Sequence, residues 1–159
     1  MTITVLCVGK CKESFYREAG DEYAKRLSKY CKFSVTEVPD EECREGASAA
    51  EEEKIKNTEG ERLLAKIPQG AYVYALAIKG KKTDSVTFSG NLSRLMVSGK
   101  SQIYFIIGGS LGLSDEVLKR ADESISFSDM TFPHQLMRVI LSEQIYRAFR
   151  IMNHEPYHK

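Results

Sequence analysis

Two stretches carry residue types and spacings that could do chemistry. The first is the C-terminal end, where all three histidines, His134, His154 and His158, fall within the last 26 residues. Histidine exchanges a proton near neutral pH, so such a cluster suits acid–base work. The second is Gly108-Gly109-Ser110-Leu111-Gly112, directly after the apolar run Ile103–Ile107. A turn so poor in side chains lets a ligand approach the main chain closely. It also matches G-x-S-x-G, the nucleophile elbow of serine hydrolases, with Asp129 and then a histidine following in the hydrolase order. Against that reading, the best helix N-cap is Ser114, four residues past Ser110, whereas an elbow starts its helix at the serine. Neither G-x-G-x-x-G nor G-x-x-x-x-G-K-[ST] is present, so a dinucleotide or P-loop site has no motif support. Cys7, Cys11, Cys31 and Cys43 show neither zinc nor redox spacing.

These residues need elements to position them. Thr2–Val8 alternates and is rich in β-branched residues, which predicts a strand. Gly9–Lys12 is its exit loop, and Ser14–Tyr30 follows as an amphipathic helix. Phe33–Val38 is a second strand and Ala49–Lys66 a charged, mostly solvent-facing helix. Ala71–Ile78 is a third strand, ending in a loop Lys79–Lys82. Phe88–Val97 is a short helix, Ile103–Ile107 a buried strand, and Ser114 opens another helix with Asp115 and Glu116 in its first turn. Ser124–Ser128 is a fifth strand, and His134–Met152 is a long helix apolar on too many sides for one docked face, which predicts burial against a second subunit. Strands alternating with helices predict an α/β fold with a mostly parallel sheet covered on both faces. The exit loops Leu76–Lys82, Gly108–Leu113 and Phe127–Pro133 lie where such sheets bind ligands. Rich in main-chain donors and poor in charge, they suit an adenine and ribose better than a polyphosphate.

At 159 residues with a formal net charge of +1, the chain is expected to be a single domain, residues 1–159, of ordinary globular composition. Charge is uneven: Glu37–Glu53 holds eight acids against Arg44 alone. Neither a membrane span nor a leader is visible, so the expected location is the cytoplasm, with reduced thiols.

Several motifs recur together in one known family: Val8–Lys10, Ile107–Gly109 with Gly112, Ser126–Arg138 (SFSDMTFPHQLMR), Glu143–Ala148 (EQIYRA) and the terminal Pro156–Lys159 (PYHK). With them the chain resembles the RlmH family end to end, apart from the acidic 41–53 region. These are SPOUT-class methyltransferases acting on a pseudouridine of large-subunit ribosomal RNA. The resemblance implies a deep C-terminal trefoil knot, which breaks the general rule against threaded chains, with S-adenosylmethionine bound in it. By position, Leu76, Ile78, Gly108 and Gly109 would line the cofactor pocket, and Phe127, Ser128, Asp129, Met130, Thr131 and Phe132 would wrap it through main-chain hydrogen bonds. The implied reaction moves a methyl group to N3 of a pseudouridine in helix 69 of 23S ribosomal RNA, within the assembled ribosome. It needs an in-line nucleophile and no metal. The departing imide proton calls for a base or anion-stabilising donors; His158 and Tyr157 are the expected suppliers, with Arg138 and His154 supporting. The tail is expected to complete the pocket of the other subunit of a homodimer. Lys10, Lys12, Arg17, Arg147, Arg150 and Lys159 are candidates for RNA phosphate contact. The competing classes are a serine hydrolase using Ser110 and a non-catalytic ribosome-binding protein.

Overall fold

The computed structural model describes all of residues 1–159. The elements run β1 (Thr2–Val8), α1 (Ser14–Leu27), β2 (Lys32–Val38), α2 (Ala49–Leu64), β3 (Tyr72–Lys82), α3 (Ser85–Val97), β4 (Gln102–Ile107), α4 (Asp115–Arg120), β5 (Glu123–Ser126) and α5 (His134–Met152). The five strands form one sheet in the order β2-β1-β4-β3-β5, and every pairing is parallel. The predicted α/β architecture is therefore the one observed.

Side-chain alternation along the inner strands divides the core. Ile3, Val5 and Cys7 of β1, with Ile103, Phe105 and Ile107 of β4, join Leu27, Phe88, Leu92, Leu141, Ile145 and Phe149 on the face covered by α1, α3 and α5. Leu6, Val8 and Ile106 point the other way, onto Leu63 of α2 and Val117 of α4. Strands buried on both sides account for the unbroken apolar runs. Local chemistry fixes the helix starts. Ser48 and Glu51 exchange side-chain-to-main-chain hydrogen bonds in a capping box on α2. Ser114 caps α4, as expected, accepting from the Val117 N–H. Asp84 caps α3 through the Thr87 N–H at 2.8 Å, so that helix begins three residues before the predicted Phe88.

The main correction concerns Lys79–Lys82, which is strand and not loop. Tyr74, Ala75 and Leu76 pair with Glu123, Ser124 and Ile125; after a register shift Lys81 and Lys82 pair with Ile125 and Ser126. Gly80 makes this double approach possible, because a Cβ there would sit 2.6 Å from the Ile125 carbonyl carbon. The shift bulges Ala77–Gly80 outward beside the sheet, as irregularities next to binding sites commonly do.

Candidate active site

All strands run the same way, so the carboxyl ends of β3, β4 and β5 converge at one edge of the sheet. A cavity of about 580 Å³ opens there, within the range of small-molecule sites. Its walls are the β3 bulge (Leu76, Ala77, Ile78, Lys79), the turn Gly108–Leu113 after β4, and Ser126–Phe132 after β5, closed by His134 and Met137 at the start of α5. Of the predicted cofactor residues, Leu76, Ile78, Gly108, Gly109, Phe127, Ser128, Met130, Thr131 and Phe132 are all in the wall. Asp129 is not: its carboxylate is ion-paired with Lys82 at the surface. The wall also includes Ala77, Lys79, Ser110, Leu111, Leu113, Leu118, Ile125 and Ser126, outside the expected set. Most lie in the same three segments, so spacing along a loop was the available signal. Leu118 comes from α4 and had none.

The two glycines also have a packing role. A Cβ on Gly108 would lie 2.9 Å from the Gly112 carbonyl carbon, and one on Gly109 would lie 2.9 Å from Glu59 Oε2. Their bareness lets the turn pack on itself and on α2, with Gly112 in the left-handed region at φ 85° and its N–H donated to the Gly109 carbonyl at 3.0 Å. Beyond the turn, Ser126 Oγ donates to the Ser128 carbonyl, and Ser128 Oγ accepts from the Met130 N–H. Such short-range bonds shape the β5–α5 segment without help from regular structure. Ile78 is 52% and Met130 73% exposed, so large apolar side chains stand in water at the cavity mouth until something covers them. Apart from Lys79, no formally charged residue lines the cavity. His134 faces it with its imidazole pushed below the usual histidine value by burial and by Arg138, which favours the neutral ring.

Ser110 also lies in the wall, but the turn after it does not become a helix until Asp115. The strand–serine–helix elbow is not formed, so nothing in the geometry activates that hydroxyl.

Arg138 is buried away from the cavity. Its guanidinium donates to Glu37 Oε1 at 2.7 Å, to the Val8 carbonyl at 3.0 Å and to the Gly9 carbonyl at 2.7 Å. Glu37 Oε1 also accepts the Cys11 N–H, and Gln135 Oε1 accepts the Lys12 and Glu13 N–H groups. From α5, these two side chains clamp the Gly9–Glu13 loop.

The tail lies elsewhere again. His154 takes a left-handed conformation, φ 54°, and with Glu155 closes α5: the Glu155 N–H returns to the Arg150 carbonyl. Tyr157 packs edge-on against Tyr146, donates to Glu143 Oε1 at 3.0 Å and lies under the Arg147 guanidinium. Burial and the Glu143 carboxylate hold its phenol protonated well above the ordinary tyrosine range. His158 Nδ1 is 3.4 Å from an Arg147 nitrogen. Of the candidate phosphate contacts, Arg147 and Arg150 are already paired with Glu143 and Glu155, while Lys10 and Lys12 are exposed. Glu143 is nine residues beyond His134. That is ~13 Å along the axis and about half a turn round the helix at ~1.5 Å and ~100° per residue. The tail of this chain therefore sits on the far side of α5 from the cavity, and none of Asn153–Lys159 lines it.

An all-parallel sheet with an apolar, main-chain-walled cavity at its carboxyl edge is the arrangement in which open α/β proteins bind ligands. A family model described as a predicted SPOUT methyltransferase matches residues 1–158, and the chain belongs to that family, within its RlmH branch. It is 56% identical over 159 residues to "Ribosomal RNA large subunit methyltransferase H" of Exiguobacterium sibiricum and of Limosilactobacillus reuteri, and 55% to the protein of that name from Lactiplantibacillus plantarum. Each comparison covers 100% of both chains. The chain is thus a methyltransferase of the class whose fold carries the C-terminal knot and whose methyl donor is S-adenosylmethionine. The residues present fit that donor. Loop main chain and apolar side chains suit the adenosine, and a wall almost free of charge neither repels nor neutralises a sulfonium.

Proposed function

We propose that this chain, as a homodimer in the cytoplasm, methylates N3 of a pseudouridine in helix 69 of 23S ribosomal RNA on the assembled ribosome. The observation that carries the dimeric reading is the separation of tail from cavity along α5. A chain alone does not bring Tyr157 and His158 to its own cavity; a second copy can. The half-buried apolar residues Leu136, Val139 and Ile140 on α5 are the kind of surface a second copy covers.

S-adenosylmethionine supplies the electrophilic methyl group. The chain's own part is to hold it with the Gly108–Leu113 and Ser126–Phe132 main chain, to exclude water with Leu76, Ile78 and Phe132, and to handle the imide proton of N3. Tyr157 and His158 from the partner's tail are the groups for that proton. While docked on α5, Tyr157 is held protonated by burial and by Glu143, so leaving that site frees its phenol to exchange a proton. His154 orients the tail as the residue at which it turns away from α5. Main-chain contacts preorganise the donor, and proximity to the acceptor supplies most of the rate. On such a substrate, specificity would come from the surface of an assembled particle, through phosphate and shape.

The test is incubation of unmodified ribosomes with labelled S-adenosylmethionine, followed by nucleoside analysis. Label in N3-methylpseudouridine on whole ribosomes, and little on naked RNA, is the expected result. Equal labelling of naked RNA would overturn the ribosome reading, and label in another nucleoside the site reading.

A further inference from the structure

Glu59 is the one acid in the interior of this chain, 4% exposed on a helix whose other buried residues are Gly60 and Leu63. Its Oε1 accepts the Glu41 N–H at 3.1 Å, while its Oε2 is buried without any hydrogen-bond partner. An unsatisfied buried oxygen of this kind costs about 1–3 kcal/mol or more, so its retention calls for a reason. The reason lies in what it faces. The carboxyl abuts Gly109, close enough that a Cβ there would be 2.9 Å from Oε2 and 3.3 Å from Oε1. The next residue, Gly60, meets the other end of the same turn, since a Cβ on it would lie 2.3 Å from Ser114 Oγ. Consecutive residues of α2 thus support both ends of the Gly108–Ser114 segment, whose upper surface is the cavity wall.

We propose that Glu59 is a positioning residue for the cofactor, its free Oε2 held for the Gly109–Ser110 main chain when that turn settles around S-adenosylmethionine. The grip on the donor then depends on a side chain that never touches it. This rests on the cavity being the cofactor site. The charged groups facing Glu59 are Asp40, Glu41 and Arg62, and Arg62 is itself engaged with Glu41 and the Pro39 carbonyl. Burial, with the two acids nearby, pushes the Glu59 carboxyl above its ordinary range, the Glu41 N–H and Arg62 opposing. A proton taken up on the partnerless Oε2 would be placed to donate to a main-chain carbonyl of the turn.

That assignment separates two substitutions of nearly equal volume. Glu59→Gln keeps a neutral donor beside an acceptor; Glu59→Met keeps the bulk and loses both. Calorimetric titration with S-adenosylmethionine is expected to show Glu59→Gln within about two-fold of the parent chain and Glu59→Met weakened about ten-fold, one good hydrogen bond's worth. At saturating cofactor, kcat of Glu59→Met should stay within about two-fold while KM for the donor rises, a split that a general loss of stability does not produce. Met binding like the parent, or Gln as weak as Met, overturns the proposal. Failure of the parent chain itself to bind would instead remove the cofactor reading beneath it. Should Glu59→Met not fold, the isosteric Gln variant still decides: a ten-fold loss refutes the neutral-donor role and retention supports it.

Discussion

Replacing Arg138 by alanine should cost stability and leave chemistry largely alone. The side chain is 7% exposed and makes three charge-assisted hydrogen bonds, to Glu37, Val8 and Gly9. Removing one partner of a buried ion pair costs ~3–5 kcal/mol, chiefly because the other is left desolvated and alone. Glu37 is 35% exposed, so water can take over part of its shell and the lower end, about 3 kcal/mol, applies. The Gly9 carbonyl is only part-buried and adds little, while the buried Val8 carbonyl makes about 3 kcal/mol a lower bound. For a chain of this size each kcal/mol moves Tm by ~2–4 °C, which gives a drop of at least about 6–12 °C. Arg138→Lys should recover only part of it, since an ammonium cannot span the three acceptors as the planar fork does. Thermal and urea unfolding followed by circular dichroism measure the loss, and calorimetry at 20 °C measures S-adenosylmethionine affinity, expected within about two-fold of the parent. A loss below about 1 kcal/mol together with abolished methyl transfer would refute the clamp and return Arg138 to the chemistry.

Deleting Pro156–Lys159 should leave the fold and cofactor binding intact and lower methyl transfer at least ~100-fold, the scale of a lost acid–base group; mixing that chain with a Gly108→Val chain should restore activity if tails act across the dimer. Gly80→Ala, whose methyl group would meet the Ile125 main chain, should destabilise by ~1–3 kcal/mol in urea unfolding. Gly90→Ala, in α3 with open space around it, should stabilise by up to ~1 kcal/mol. Because the folded His134 pKa lies below the unfolded value of ~6.5, its neutral form stabilises the fold above that pH. The contribution fades as pH falls through ~6.5 toward the folded value, and a His134→Gln chain should show a shallower loss of stability between pH 7 and 5.

The order and kind of elements were legible because burial on both sheet faces leaves unmistakable apolar runs, and α5 even kept its predicted ends. Lys79–Lys82 was misread because lysine and glycine are ordinary turn residues; the pairing that makes them strand comes from Ile125 and Ser126, more than forty positions on. Most of the cavity wall was within reach of the motifs, since a main-chain site follows its loops. Glu59 was not, being one acid among many in a charged helix, set apart only by a glycine from a distant turn. Arg138 shows the opposite difficulty. A charge on an apolar helix reads as function, and the three acceptors that hold it lie in segments distant in sequence.

The strand order has a consequence for how the chain is made. β1 lies inside the sheet, with Thr2–Val8 between β2 and β4. During synthesis its one early neighbour is β2; the other edge waits until Gln102–Ile107 has emerged. At ~5–20 residues per second, Ile3, Val5, Leu6 and Cys7 spend several seconds as half of an unfinished sheet. The residues of β1 are thus made before β4 yet enclosed only with it, and the cavity, which needs β3, β4 and β5 together, closes only as α5 arrives. The cofactor cavity is therefore one of the last features of the fold to be completed.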